Sequence, residues 1–161
     1  MALVASTLTQ ALERMFRNPQ ADPARAASQL ATAYRDYAQT AQAGASLPVF
    51  LHTETLGAKA VFLAITASPL MGNPQTFARS WLAAINAFWL ASPAPVQFAG
   101  AGAGPITPSL AGEALVSALT TAASGFKPAS LAASLIASAV DAYTHTFLVF
   151  LTPPGAGVPL V

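Results

Sequence analysis

Apolar residues recur three and four positions apart along most of this chain, and Pro, Gly, Asp and Asn divide that pattern into helix-length segments. Leu8, Leu12 and Met15 or Phe16 follow Ser6 and Thr7 at helical spacing, and Pro19 closes the run, which predicts a helix over about 6–17. Asp22-Pro23 supplies a capping carboxylate and a proline already at helical φ. The stripe behind it, Ala26, Leu30, Ala33/Tyr34, Tyr37 and Ala41, predicts a helix running up to Gly44. Leu56, Ala60 and Leu63 predict another over about 53–67. Asn73-Pro74 repeats the capping chemistry, and Phe77, Trp81, Ala84/Ile85 and Phe88 form the most aromatic stripe of the chain, to about residue 91. Thr107-Pro108-Ser109 opens a helix with Leu110, Ala114, Leu115, Ala118 and Leu119 inward and Gly125 as its stop. Lys127-Pro128 opens the last, with Leu131, Leu135, Ala139, Ala142/Tyr143 and Thr146 as its stripe to about residue 146.

Three stretches do not fit a helix. SLPVFLHTE, from Ser46, has an apolar run too short for a helix and a proline that restrains its neighbour, so it reads as an extended connector. SPAPVQFAGAGAGPIT, residues 92–107, mixes Pro with Gly and reads as a long loop or arm. FLVFLTPPGAGVPLV, residues 147–161, is an apolar tail that its prolines and glycines keep from being a helix. The predicted fold is therefore all-α: a compact bundle of about five or six short helices over residues 1–146, carrying an extended arm at 92–107, followed by the extended tail 147–161. Pro19, Pro74 and Pro128 precede helices at spacings of 55 and 54 residues. A triplicated helix-plus-arm unit would produce this, although three of thirteen prolines also fall so by chance.

Composition changes the picture mainly through charge. Only 8% of the 161 residues are Asp, Glu, Lys or Arg, against roughly 25% in ordinary soluble domains, while 54% are hydrophobic. Ala, Ser, Thr, Gln and Pro must cover the surface instead, and such a surface is easily desolvated and poor at repelling copies of itself. The charges are also uneven: Glu13, Arg14, Arg17, Asp22, Arg25, Arg35, Asp36, Glu54, Lys59 and Arg79 precede residue 80, and only Glu113, Lys127 and Asp141 follow it. With a net charge of +1 and no cluster of Lys or Arg among aromatics, no nucleic-acid partner is expected. The absence of Cys excludes disulfides, thiolate metal sites and cysteine nucleophiles. The first residues lack a basic region ahead of an apolar run, so no secretory signal is expected.

Candidate chemistry is sparse. Asp141 and His145 stand four apart on one helix face and would, with a nearby hydroxyl, formally complete an acyl-transfer constellation. Hydroxyls are so abundant in this chain, however, that the pair reads instead as a local one satisfying two polar groups on a partly buried helix. His52 beside Glu54 has no third metal ligand at short spacing, and Glu54 and Lys59 read as solvated positions. The Gly-Ala-Gly-Ala-Gly run at 100–104 lacks the Lys-Ser/Thr ending of a phosphate loop. No catalytic, cofactor-binding or metal-ligating residue is nominated, and no cofactor or small-molecule substrate is expected. A membrane span is not expected either: residues 128–152 carry many hydroxyls with Asp141 and His145, and residues 80–112 are broken at Ser92-Pro93.

Short Ala-rich helices opened by Asn-Pro or Asp-Pro, the Phe88-Trp89 pair in NAFWLASPAPVQF, Gly/Ala/Pro-rich arms and the PPGAGVPLV ending together give a layout that resembles small virion structural proteins of tailed bacteriophages. The resemblance covers the style of the whole chain and contains no diagnostic motif. It implies a non-enzymatic subunit present in many copies in a neck, tail or baseplate ring or on the capsid, in a virion assembled in the host cytoplasm, with homo-oligomeric and hetero-assembly partners. The alternative is a membrane-associated helical protein such as a phage lysis factor. For the assembly reading, the expected anchors are Phe147, Val149, Leu151, Val158 and Leu160 of the tail, which would dock in extended form on a neighbouring subunit.

Overall fold

In the computed structural model the described residues are 3–40, 42–43, 47–51, 73–90, 96–98, 106–107, 111–149 and 158–159. They form an all-α bundle of five helices: α1 (Ala5–Arg17), α2 (Pro23–Ala38), α3 (Pro74–Leu90), α4 (Gly112–Ala123) and α5 (Ala129–Thr144). The helix expected over 53–67 lies outside the described residues. Pro128 is itself the N-cap of α5, without a side-chain cap. The start expected at Thr107-Pro108-Ser109 is corrected, because Thr107 is extended and pairs with Leu148 while α4 begins at Gly112. The other two X-Pro starts behave as their chemistry requires. Asp22 Oδ1 accepts from the Ala24 N–H at 3.0 Å, and Asn73 Oδ1 accepts from the Gln75 and Thr76 N–H groups at 3.0 and 3.2 Å, which satisfies donors that a helix start leaves without partners. At the end of α4, Gly125 takes φ +71°, a conformation that costs a side-chain-bearing residue more, and Lys127 Nζ donates to the carbonyls of Thr121 and Ser124.

Around the bundle, α1 packs against α2 and α5, α5 against α4, and α4 against α3. Gly112 allows the last of these contacts to be close, because a Cβ there would stand 3.1 Å from Leu82 Cδ2. Aromatic side chains close the ring. Tyr34 of α2 meets Phe88 of α3 edge-on at 5.0 Å, Phe88 meets Trp89 at 5.3 Å, and Trp89 meets Phe147, just beyond α5, at 6.0 Å. The buried core comprises Leu8 and Leu12 of α1, Leu30, Tyr34 and Tyr37 of α2, and Trp81, Ile85 and Phe88 of α3. Leu115, Val116 and Leu119 of α4 and Ile136, Val140 and Tyr143 of α5 complete it.

Short extended segments decorate the helices. β1 (Gln42–Ala43), β2 (Leu47–Leu51) and β3 (Val96–Phe98) pair antiparallel in that order, with Val49 opposite Phe98 and Leu51 opposite Val96. β4 (Ile106–Thr107), β5 (Leu148–Val149) and β6 (Val158–Pro159) form a second set, with Ile106 opposite Val149 and Val149 opposite Val158. The described strand residues of the connector, the arm and the tail pair with one another inside the chain.

Three further expectations about the helices are corrected. α2 stops at Ala38 instead of running to Gly44, because the chain tightens there: Thr40 N–H donates to the Tyr37 carbonyl at 3.0 Å, and Thr40 Oγ1 donates to the same oxygen at 2.7 Å. On α5 the core side is Ala133, Ile136, Ala137, Val140, Tyr143 and Thr144, whereas Leu131 and Leu135 are 48% and 39% exposed. The helix turns the opposite side inward from the one its leucines suggest. On α4, Leu115 and Leu119 are inward as expected, but Ala114 and Ala118 face out while Val116 and Ala122 are buried.

Candidate association surface

The polar groups that sequence spacing could not relate are brought together where α2 crosses α3 and α5. Trp89 Nε1–H donates to Tyr34 Oη at 2.8 Å, Tyr34 Oη lies 3.2 Å from Thr144 Oγ1, and Thr144 Oγ1 donates to the Val140 carbonyl at 2.9 Å. Thr144 spends its one hydroxyl proton on Val140, so the Tyr34 hydroxyl must donate to Thr144, and the chain runs in one direction from indole to helix carbonyl. Beside it, Tyr37 Oη donates to Asp141 Oδ1 at 2.6 Å, and Tyr143 Oη donates to Asn86 Oδ1 at 2.8 Å. Burial pushes the Tyr34 phenol above its ordinary value of 10. Tyr37 rises for the same reason, with the hydrogen bond to Asp141 adding in the same direction. These hydroxyls are therefore fixed structural donors at neutral pH.

That arrangement decides what Asp141 and His145 do. The expected pair is present: His145 Nδ1 lies 2.8 Å from the Asp141 carbonyl oxygen and 3.7 Å from its Oδ1. Asp141 Oδ1, however, ties α2 to α5 through Tyr37. Of the two hydroxyls adjacent to His145 in sequence, Thr144 is buried and donates to the Val140 carbonyl, and Thr146 donates to the Tyr143 carbonyl at 2.6 Å. No nucleophile is aligned on the imidazole by these contacts. A cleft of ≈ 450 Å³ between α1 and α2 has Arg14, Asn18, Gln29 and Asp36 on its walls. Arg14 Nε donates to the Gln10 carbonyl at 3.3 Å, and Asp36 is ion-paired with Arg35 at 2.8 Å. Among the described residues no three His, Asp or Glu side chains gather as metal ligands, and no helix is long and apolar enough to cross a membrane. His52, Glu54, Lys59 and the 100–104 glycine run lie outside the described residues.

Of the five tail residues expected to anchor a neighbour, Phe147 is fully buried in the chain's own core, 5.2 Å edge-on from Tyr143 and 6.0 Å from Trp89. Its ring completes the aromatic cluster and does not present an open surface. Val149 and Val158 are opposed to each other in the β5–β6 pair, so this part of the tail folds back on the chain. Leu151 and Leu160 lie outside the described residues.

The exposed apolar groups are elsewhere. Phe126, in the turn leading into α5, is fully exposed, and Leu131 and Leu135 stand on the side of α5 that faces away from the core. With them, at spacings that keep a helix face in line, are Ser134, Ser138 and Ala142, all exposed and all uncharged. This uncharged outer face is the surface most readily desolvated by another molecule. Sequence periodicity assigned its leucines to the core because α5 is apolar on both sides. The missing signal was a charged residue on the outer face to mark which side meets water, since the helix's one charged residue, Asp141, lies off that face and is partly buried. Comparison with known proteins finds no matching family model, no matching curated protein and no matching solved structure.

Proposed function

We propose that this chain is a non-enzymatic structural subunit of a large protein assembly and acts by packing against other protein chains. In its most concrete form it is a virion component of a tailed phage, in a neck, tail or baseplate ring or on the capsid. The observation that supports the reading best is the outer face of α5, where Leu131 and Leu135 stand exposed opposite a fully formed core, with Phe126 in the turn before it. Two half-exposed leucines on a helix that already buries its other side gain nothing from the monomer. Covering apolar area stabilises a complex by about 25 cal/mol per Å². The virion assignment itself rests on the layout resemblance.

Sedimentation of the chain purified without detergent tests the association. The expected result is an oligomer in the aqueous fraction. A chain that needs detergent to stay dispersed would favour the membrane-associated alternative, and a monomer at every concentration would remove self-association. For the virion assignment, tryptic peptides of this chain are expected in purified particles of the phage that encodes it, in stoichiometric and not trace amounts.

A further inference from the structure

We propose that the outer face of α5 is covered by the same face of a second copy, the two helices crossing antiparallel about a two-fold axis. The proposal rests on the assembly reading above and adds the surface, the occupant and the orientation. Leu131, Leu135, Ser138 and Ala142 follow one another at four, three and four residues and so form a stripe about 16 Å long, with Ser134 alongside. All five are exposed.

What can lie on this stripe is limited by charge. An apolar surface that meets a charged one strands the charge without solvent or partner, which costs more than the contact returns. The outward positions of α1 and α2 include Arg14, Arg17, Arg25 and Asp36, so that side of a second copy is a poor cover. The α5 stripe of a second copy carries no charge. It also supplies both halves of a packing: leucine side chains that project and serines and an alanine that leave hollows, on one face, so that a two-fold places each leucine over a small residue of the other copy.

Orientation follows from the stripe's ends. After Glu113 the only charged residues in the chain are Lys127, just before the helix, and Asp141 in its last turn. Parallel apposition brings Lys127 against Lys127 and Asp141 against Asp141. Antiparallel apposition brings the Lys127 end of one copy towards the Asp141 end of the other and also opposes the helix dipoles. At the Asp141 end the other titratable groups are His145 and the buried Tyr143, and Tyr37 reaches Asp141 from α2.

The chain contains no cysteine, which makes a site-directed test clean. Ser138→Cys places one thiol at the middle of the stripe, and Ser28→Cys places one on α2 as a control. With a short bismaleimide, Ser138→Cys is expected to give a covalent dimer at dilutions where Ser28→Cys stays monomeric. Leu131→Glu combined with Leu135→Glu is expected to raise the dissociation constant about tenfold or more while the circular-dichroism melt stays that of the parent, since both positions are exposed. Equal cross-linking from the two cysteine variants, or a double variant that associates like the parent, overturns the α5 face and leaves the assembly reading standing. A monomeric parent overturns both self-association and this proposal. In that case, a thiol of the Ser138→Cys variant that is shielded from maleimide would mean that other residues of the same chain cover the face. A reactive thiol in that variant would leave the face to an unlike protein.

Discussion

The α1–α2 pair and the α4–α5 pair bury comparable material and meet water in different ways. Leu8, Leu12, Leu30, Tyr34 and Tyr37 in the first are matched by Leu115, Val116, Leu119, Ile136, Val140 and Tyr143 in the second. Outward, the first pair carries Arg14, Arg17, Arg25 and Asp36, and surface ion pairs join Arg17 to Glu13 and Arg35 to Asp36. The second carries one exposed charge, Glu113 in the first turn of α4, ion-paired to Arg79 of α3, and otherwise presents Ala114, Ser117, Ala118, Leu131, Ser134, Leu135 and Ser138. Exposed ion pairs add only about 0–1 kcal/mol each, so charge does little to hold the first pair together. Its effect is to make one side of each helix unsuitable for burial. A helix with that mark has one inner side, whereas α5, lacking it, has two sides that could be covered, and the fold uses only one.

If the two pairs are equally well packed inside, deletions at matched buried positions must cost the same. Leu12→Ala in α1 and Leu119→Ala in α4, both fully buried, are each expected to lower the free energy of unfolding by about 2–5 kcal/mol. Trp81→Ala in α3, which packs against α4, should cost about 3–5 kcal/mol. Urea titration of the three variants checks this. A Leu119→Ala loss well below that of Leu12→Ala would mean that the α4–α5 side is a loose layer whose packing waits for another chain, which would break the equivalence on which the comparison depends.

A smaller effect probes the seam that joins the pairs, where Tyr34 and Tyr37 of α2 reach Thr144 and Asp141 of α5. Both phenols have folded-state pKa values raised above 10. The unfolded chain releases these protons first, so the stability they contribute is intact below pH 10 and is lost as pH rises above it. For each phenol the slope is half-developed at pH 10 and approaches about −1.4 kcal/mol per pH unit only above it. The expected loss between pH 9 and 11, read from urea unfolding, is therefore about 1.4 kcal/mol per phenol. Burial raises Tyr143 as well, so Tyr37→Phe should reduce the loss by between about a third and a half. At neutral pH the same variant should cost about 1–3 kcal/mol, because Asp141 loses the donor that satisfied it in a partly buried place. An unchanged slope in Tyr37→Phe would mean that the seam opens before the phenols titrate.

Much of the helical body was legible in the sequence wherever a side chain marked an end or a wet side. The Asp22-Pro23 and Asn73-Pro74 caps were readable because a carboxylate or amide ahead of proline has one favourable use at a helix start. Leu8, Leu12, Leu30, Tyr34 and Tyr37 were readable because charged residues lay opposite them. Leu131 and Leu135 were misplaced because both sides of α5 satisfy the same periodicity, and only the positions of α1 and α4 decide between them. Phe147 was read as part of a free tail, since nothing local shows that Trp89 and Tyr143 wait for it. The chain of hydroxyls was illegible for the same reason: Trp89 and Tyr34 are 55 residues apart, and Tyr34 and Thr144 are 110 apart.

The smallest effect expected is none at all, and it separates the two surfaces most directly. Association through an uncharged face is driven by apolar burial, which salt does not screen, whereas association through the Arg-bearing side of α1 and α2 would depend on ion pairs. Raising the salt to 1 M shortens the Debye length to about 3 Å and removes most attraction between exposed charges. The dissociation constant of the oligomer, measured by sedimentation, is therefore expected to stay within about twofold of its low-salt value. The one electrostatic contribution in the antiparallel arrangement, Lys127 of one copy towards Asp141 of the other, is solvent-screened at its lysine end and of the order of other exposed pairs. Dissociation as salt rises would place the contact on the α1–α2 side, where Arg14, Arg17 and Arg25 stand, and would make the uncharged face of α5 a surface that the assembly does not use.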